Sequence, residues 1–398
     1  MKRPIDIPPF LVMEVLERAQ ELERQGRDVI HLEVGEPDFP TPDCIKEAAL
    51  RALRDGETHY SASVGILPLR EAVCEYFLSR YGVKIGPDQV VVTSGTSPGI
   101  LLALSSILEH EDEVILPNPH YACYPQFIHY VGGTPAFVDV REETGFELEP
   151  DAVRERTGPR TKAIMINSPA NPTGHVMDGK VIERIASTGP ILISDEIYHG
   201  LVYEGKERSA LEYTDNAFVL NGFSKLYSMT GWRLGYIVTP PRYQRLIQKM
   251  QQNFFIAANT FVQWAGIAAL KEAQPDVDRM VACFNERRKL ILRRIEEMGF
   301  GVAKEPTGAF YVLANARRFT DDSLTFAFEV LENADVGIAP GVDFGSNAEG
   351  FVRFSYANSL EKIEEGMKRL ENYLALRKGR PARMEESNRR RRTYDEQI

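Results

Sequence analysis

Cysteine is scarce: there are four in 398 residues, Cys44, Cys74, Cys123 and Cys283, with no Cys-x-x-Cys pair. That argues against a disulfide framework and against a thiolate zinc site. The seven histidines show no metal spacing such as His-Glu-x-x-His. Long apolar runs are missing too. Stretches such as AIMINSPA and PILISDEIY are far too short to span a bilayer. The first residues, MKRPIDIPPF, lack the apolar core of a secretory signal. Basic charge is not in excess: the net charge is −10, which speaks against a general nucleic-acid binder. No internal repeat stands out. The expectation is a soluble protein of the reducing cytoplasm, with no nucleic-acid partner and no membrane partner.

What is present is ordered. Residues 11–25 have helical periodicity, and 43–55 and 67–81 read as helices. From about residue 89, short apolar runs alternate with helical segments: QVVVTSG, DEVILPNP, TPAFVDV, TKAIMINSP, PILISDEIY, AFVLNGFSK and LGYIVTP. Continuous apolar strands between helices imply a mostly parallel sheet covered on both faces. The expected class is therefore α/β, with seven strands in a large domain and a smaller α+β domain. Residues from about 260 to 298 read as a long helical stretch. GAFYVLAN, VGIAPGVDFG and FVRFSYAN read as strands of the second lobe. The expected division is an N-terminal arm that joins the small domain (1–40), a large domain (41–285), a small domain (286–378) and a charged, disordered tail (379–398) that includes Arg389 to Arg392.

The polar residues gather where a parallel sheet binds ligands, after the ends of its strands. NGFSKLYSMTGWRLGY, from Asn221, carries two charges, Lys225 and Arg233, among small, hydroxyl and aromatic residues. Lys225 reads blandly as a surface lysine. Its apolar setting favours a nucleophile instead, since desolvation lowers an amine toward neutrality. SGTSPG, from Ser94, is either a helix cap or a phosphate cradle. Asp195 in SDEIY is either an N-cap or the partner of a protonated ring nitrogen. Tyr198 lies three residues on, as core or as a ligand to the same ring. Asn171 in NSPANPTG caps a turn or donates to a ring substituent. Arg353 in FVRFSYAN and Arg233 in TGWRLGY each want an anion: an internal carboxylate, a substrate carboxylate or a phosphate.

Taken together, in this order, GEPDFPTP, HYSASVGILPLREA, SGTSPG, NSPANPTG, SDEIY, SKLYSMTGWRLGY, GAFYV and VRFSYAN resemble the fold-type I pyridoxal-phosphate enzymes, specifically the class I/II aminotransferases. The likeness covers about residues 5–375. It implies a Schiff base between Lys225 and pyridoxal 5′-phosphate, with Lys225 then serving as the acid and base. It implies Asp195 on the pyridinium nitrogen, and Asn171 and Tyr198 on the ring's 3′-oxygen. Gly95, Thr96, Ser97, Ser224 and Arg233 would hold the phosphate, and Tyr121 would stack on the ring. Tyr60 would reach the cofactor of a partner subunit in a homodimer with shared sites. Arg353 would bind the substrate α-carboxylate beside the backbone of Gly35. The implied reaction is ping-pong transfer of an α-amino group from an L-amino acid to a 2-oxo acid, with 2-oxoglutarate as the default acceptor.

Two departures from the family pattern stand out. Position 222 is Gly where many relatives carry a phosphate-binding Ser. Phe10, Val12 and Ser97 stand where aspartate-preferring relatives carry hydroxyl groups and a lysine. A more apolar distal pocket follows, suited to neutral or aromatic amino acids rather than aspartate. A β-lyase or decarboxylase on the same cofactor is the alternative. A catalytically silent regulator would need a DNA-binding domain for which the chain has no room, and no GxGxxG supports a dinucleotide enzyme.

Overall fold

The structure, a computed structural model, describes residues 7–378. The expected charged tail, 379–398, lies outside the described residues. The apolar runs form strands: β1 Ile30–His31, β2 Val90–Thr93, β3 Glu113–Asn118, β4 Thr134–Asp139, β5 Thr161–Asn167, β6 Ile191–Asp195, β7 Ala217–Gly222, β8 Gly235–Val238, β9 Tyr311–Asn315, β10 Val336–Gly337, β11 Ala339–Pro340 and β12 Phe351–Ser355. Seven of them build one sheet in the order β2-β8-β7-β6-β5-β3-β4. Its pairs are parallel except those of β8, which runs antiparallel to both β2 and β7.

Alternation explains the unbroken apolar runs. Val90, Val92, Ile164, Ile166, Leu192 and Val219 join one buried cluster. Val91, Ala163, Met165, Ile193, Phe218 and Leu220 join another on the opposite face. Both faces are covered, so successive positions are all apolar. The helix Thr96–Ile107 supplies Ile100, Ala103 and Leu104 to the second cluster. The helix Thr260–Glu272 supplies Val262, Ala265 and Ala269 to the first.

The helical stretch expected over 260–298 is helical, and consists of two helices, Thr260–Glu272 and Gln274–Met298. Pro275 accounts for the break. It lacks an N–H and its ring crowds the preceding turn, so a helix begins at proline rather than continuing through it.

The later strands form a second layer, β11-β12-β9, antiparallel, with Arg353 of β12 paired to Leu313 and Ala339. β1 pairs in parallel with β10, His31 opposite Gly337. Just beyond β1, the Leu32 carbonyl accepts from the Ser355 N–H at 2.7 Å. That link brings the Gly35 loop beside β12. Among the described residues no helix is long and apolar enough to cross a membrane.

Candidate active site

The anticipated residues converge on the carboxyl edge of the large sheet. Asp195 ends β6, Asn171 follows β5, Tyr121 follows β3, Gly95 follows β2 and Lys225 follows β7. Arg233 precedes a strand instead, yet reaches the same edge because β8 runs the other way. Gly235 at its start pairs with both Thr93 and Gly222.

Asp195 is 4% exposed. Tyr124 Oη donates to its Oδ2 at 2.7 Å and the Ile197 N–H to its Oδ1 at 3.2 Å. The cation acting on it is Lys225, through space and without an ion-pair contact among the described residues. Burial pushes the carboxyl up to about 6 against those opposing contacts. A buried carboxylate with neutral donors and no salt bridge calls for a cation from outside the chain.

Lys225 is partly buried, and its Nζ donates to the Gly35 carbonyl at 2.6 Å. Desolvation is the main force that brings its amine down to about 8. The Arg353 and Arg233 charges add to the fall, while Glu36 and Asp195 oppose it. An amine near neutrality can act as a nucleophile and pass a proton at working pH.

Arg353 is 2% exposed. Its Nη1 donates to Asn171 Oδ1 at 2.9 Å and its Nη2 to the Glu33 carbonyl, while Nε has no partner among the described residues. The guanidinium lies 4.4 Å from the Tyr311 ring centre and 4.8 Å from that of Phe344. No carboxylate forms an ion pair with it among the described residues, so a buried cation is left for an incoming anion.

The cradle at β2 is built by close approach. Gly95 has φ +88 and precedes the helix Thr96–Ile107, whose N-terminus has no side-chain cap. A Cβ on Gly95 would fall 2.4 Å from Arg233 Nη2, so glycine is required for the guanidinium to close on this helix end. Arg233 Nη1 donates to the Thr230 carbonyl at 2.9 Å. A guanidinium beside uncapped helix N–H groups suits a phosphate dianion. Ser224 is buried close to Lys225 in sequence, Thr96 is half-buried and Ser97 is exposed.

Tyr198 Oη shares a 2.9 Å hydrogen bond with Tyr311 Oη. Tyr311 stands where a Gly35 side chain would be, with Oη 1.7 Å from the ideal Cβ position. Tyr121 meets Phe10 edge-on at 6.1 Å and Tyr124 at 5.2 Å. Tyr60 is not gathered with the others: it is 84% exposed on its own chain. Reading the sequence missed Tyr124, Tyr311, Glu36 and Phe344. Tyr124 lies one helical turn after Tyr121, a spacing that could have drawn attention to it. Tyr311 sits inside the GAFYV motif without an assigned role.

Known proteins resemble the chain along nearly its whole length. Residues 27–370 match the family profile described as aminotransferase class I and II. A (5-formylfuran-3-yl)methyl phosphate transaminase from Methanocaldococcus jannaschii is 43% identical over 377 residues, covering 94% of this chain and 99% of that protein. An aspartate aminotransferase from Pyrococcus horikoshii is 40% identical over 371 residues, covering 91% and 94%. Among solved structures, a Methanococcus jannaschii protein whose active site is described as similar to kynurenine aminotransferases matches with a TM-score of 0.87. It is 42% identical, and the match covers 94% of this chain and 99% of that one.

Proposed function

The chain belongs to the class I and II aminotransferases, so it transfers amino groups with pyridoxal 5′-phosphate, and we propose that Lys225, Asp195, Tyr198, Asn171, Arg233 and Arg353 form the centre where it does so. The residues present fit this cofactor. Asp195 awaits a cation, which a protonated pyridine nitrogen supplies. Gly95, Thr96, Ser97, Ser224 and Arg233 suit its phosphate. Asn171, whose Oδ1 is taken by Arg353, keeps its amide N–H groups for the ring's 3′-oxygen, alongside Tyr198. Tyr121 offers a ring for stacking. When bound, pyridoxal phosphate supplies an aldehyde that takes up the amino group and a cationic ring that accepts the electrons left at Cα.

The chain's own groups do the rest. Arg353 holds the substrate α-carboxylate, with Gly35 close enough to allow it because no side chain intervenes. Lys225, whose amine burial lowers to about 8, would take the proton from Cα and return it to the carbon on the far side of the amino nitrogen, two bonds away. Asp195 keeps the ring nitrogen protonated. Two clamps, at phosphate and carboxylate, orient the breaking bond toward Lys225. The same steps run in reverse with a 2-oxo acid, 2-oxoglutarate by default, which completes a ping-pong cycle.

The observation that carries the substrate class is an apolar cluster beside Arg353 and Tyr121. Val12, Ala122, Leu313, Phe344 and Phe351 pack there, with Phe10 against them. It favours neutral or aromatic side chains. A homodimer is the proposed working form, with Tyr60 serving the partner's cofactor. Tyr60, Phe254 and Ile256 are 84%, 63% and 51% exposed. Their segments are tied together, since Thr260 Oγ1 donates to the His59 carbonyl at 2.6 Å. A large domain of about 41–285 and a small one of about 286–378 remain the proposed division. The described cysteines are free thiols, which fits the cytoplasm.

The experiment is donor turnover with the cofactor-loaded protein, using aspartate, alanine, glutamate and phenylalanine against 2-oxoglutarate. Phenylalanine should exceed aspartate in kcat/KM. A strong aspartate preference overturns the apolar-pocket reading. Release of ammonia and pyruvate, or of CO2, in place of amino transfer would point to lyase or decarboxylase chemistry.

A further inference from the structure

We propose that the pair formed by half-buried His31 and buried Glu33 is a positioning device for the substrate carboxylate: it fixes the main-chain segment whose carbonyls hold Arg353 and Lys225. The inference rests on the aminotransferase reading of this site. The Glu33 carbonyl accepts from Arg353 Nη2, and the Gly35 carbonyl accepts from Lys225 Nζ at 2.6 Å. Both site cations are therefore tethered to carbonyls two residues apart. A shift of this segment displaces both.

The segment is held from behind. The Leu32 N–H donates to the Gly337 carbonyl at 3.0 Å. The next residue, Glu33, is 0% exposed. Its Oε1 is 2.6 Å from His31 Nδ1, and its Oε2 has no partner among the described residues. The carboxylate occupies space that exists because residue 337 is glycine: a Cβ there would lie 2.1 Å from Oε2. The other imidazole nitrogen, His31 Nε2, meets Glu23 of the first helix, Leu11–Arg24, at 3.2 Å.

The hydrogen bond to Glu33, then the surrounding carboxylate charges, raise the His31 imidazole to about 9 against the opposing effect of burial. At neutral pH Glu33 is thus matched by an imidazolium. Other cations nearby are engaged elsewhere. Lys362 and Arg369 of the helix Leu360–Lys378 hold Asp28 at 3.4 and 2.7 Å, and Arg27 holds Asp335 at 2.6 Å. From β10 the facing residue is Gly337, and Asn358 Nδ2 donates to the His31 carbonyl at 3.2 Å. Neither ionises.

Removing the cation alone strands a buried carboxylate, and relief comes by moving Glu33 toward water. Its carbonyl would then leave Arg353. Removing both charges takes that drive away. The test uses cofactor-loaded His31→Gln, Glu33→Gln and the double variant. Calorimetry reads the binding of 3-phenylpropionate and succinate, carboxylates with no amino group to give. Steady-state kinetics supply KM and kcat for the best donor.

His31→Gln should weaken the carboxylate and raise KM about tenfold, the scale of one lost charge-assisted hydrogen bond, with kcat within about twofold. The double variant should return to within about threefold of the parent. Equal impairment of the single and the double variant overturns the proposal. So does a fall in melting temperature with unchanged carboxylate affinity.

Should His31→Gln fail to fold, the parent and Glu33→Gln are compared between pH 8 and 10. The parent should lose additional affinity as His31 gives up its proton, and Glu33→Gln should not. Identical profiles overturn the pair's role. Carboxylate affinity decides this inference. Absence of amino transfer in a parent protein that still binds the carboxylate would instead count against the aminotransferase reading.

Discussion

Asp195 is an expensive residue for the chain by itself. Its carboxyl sits near 6 when folded, above the ordinary 3.8, because burial disfavours the charge. The folded protein therefore binds this proton more tightly than the unfolded chain does. Stability from this group falls as pH rises from about 4 to about 6, and above that it lacks about 3 kcal/mol. Asp195→Asn keeps the shape and the acceptor for Tyr124 while removing the charge. The cofactor-free variant should melt higher than the parent at pH 7.5. The gain should shrink as pH falls through 6 and vanish near 4. With cofactor, the same variant should lose on the order of a hundredfold in kcat, since nothing then keeps the ring nitrogen charged. Melting curves across pH and one kinetic comparison check both halves. Equal melting at every pH would mean that Asp195 is better solvated than its 4% exposure indicates.

At the scale of elements, the first helix is held onto the site by a side chain far away in sequence. The Leu11 and Val12 N–H groups donate to the Asp343 carboxylate at 3.1 and 3.0 Å. These are first-turn donors that no residue of the helix itself can satisfy. Asp343 precedes Phe344, which lies over Arg353, and Phe10 precedes the helix and meets Tyr121. The cap thus couples the apolar wall to the carboxylate site. Asp343→Ala should cost about 1–2 kcal/mol locally. It should speed hydrogen exchange at Leu11 to Val15 and raise KM for phenylalanine more than for alanine. Unchanged exchange would show that the helix start is held by packing alone.

This scale also shows what could be read in advance. The strands were legible because apolar runs bounded by Gly, Pro and Asn have one physical meaning in a covered parallel sheet. The convergence of Lys225, Asp195 and Gly95 follows from strand ends sharing one edge. The break at Pro275 follows from the proline itself, but the helical periodicity that runs on either side does not report it. The partnership of Tyr311 with Tyr198 and that of Glu33 with Arg353 were not legible. Tyr198 and Tyr311 lie 113 residues apart, and Arg353 and Glu33 lie 320 apart. Such contacts depend on how two layers dock, which no local pattern encodes.

At the scale of the whole molecule, the exposure of Tyr60 makes a prediction that a single chain cannot satisfy. A tyrosine 84% exposed, next to His59 whose carbonyl is held by Thr260, gains nothing where it stands. In the proposed homodimer each site takes Lys225 from one chain and Tyr60 from the other. Lys225→Ala and Tyr60→Ala should each be impaired alone, the first almost completely. Mixed and allowed to exchange chains, half of the dimers become mixed. Each mixed dimer contains one site with both defects and one with neither. Restored turnover should therefore approach about a quarter of the parent value, given random pairing of symmetric subunits. The measurement is kcat after equilibration at equal concentrations, with sedimentation confirming dimers. If both residues served the same chain's site, mixing would give only the average of the two defective proteins. A recovery above that average requires that the site be shared.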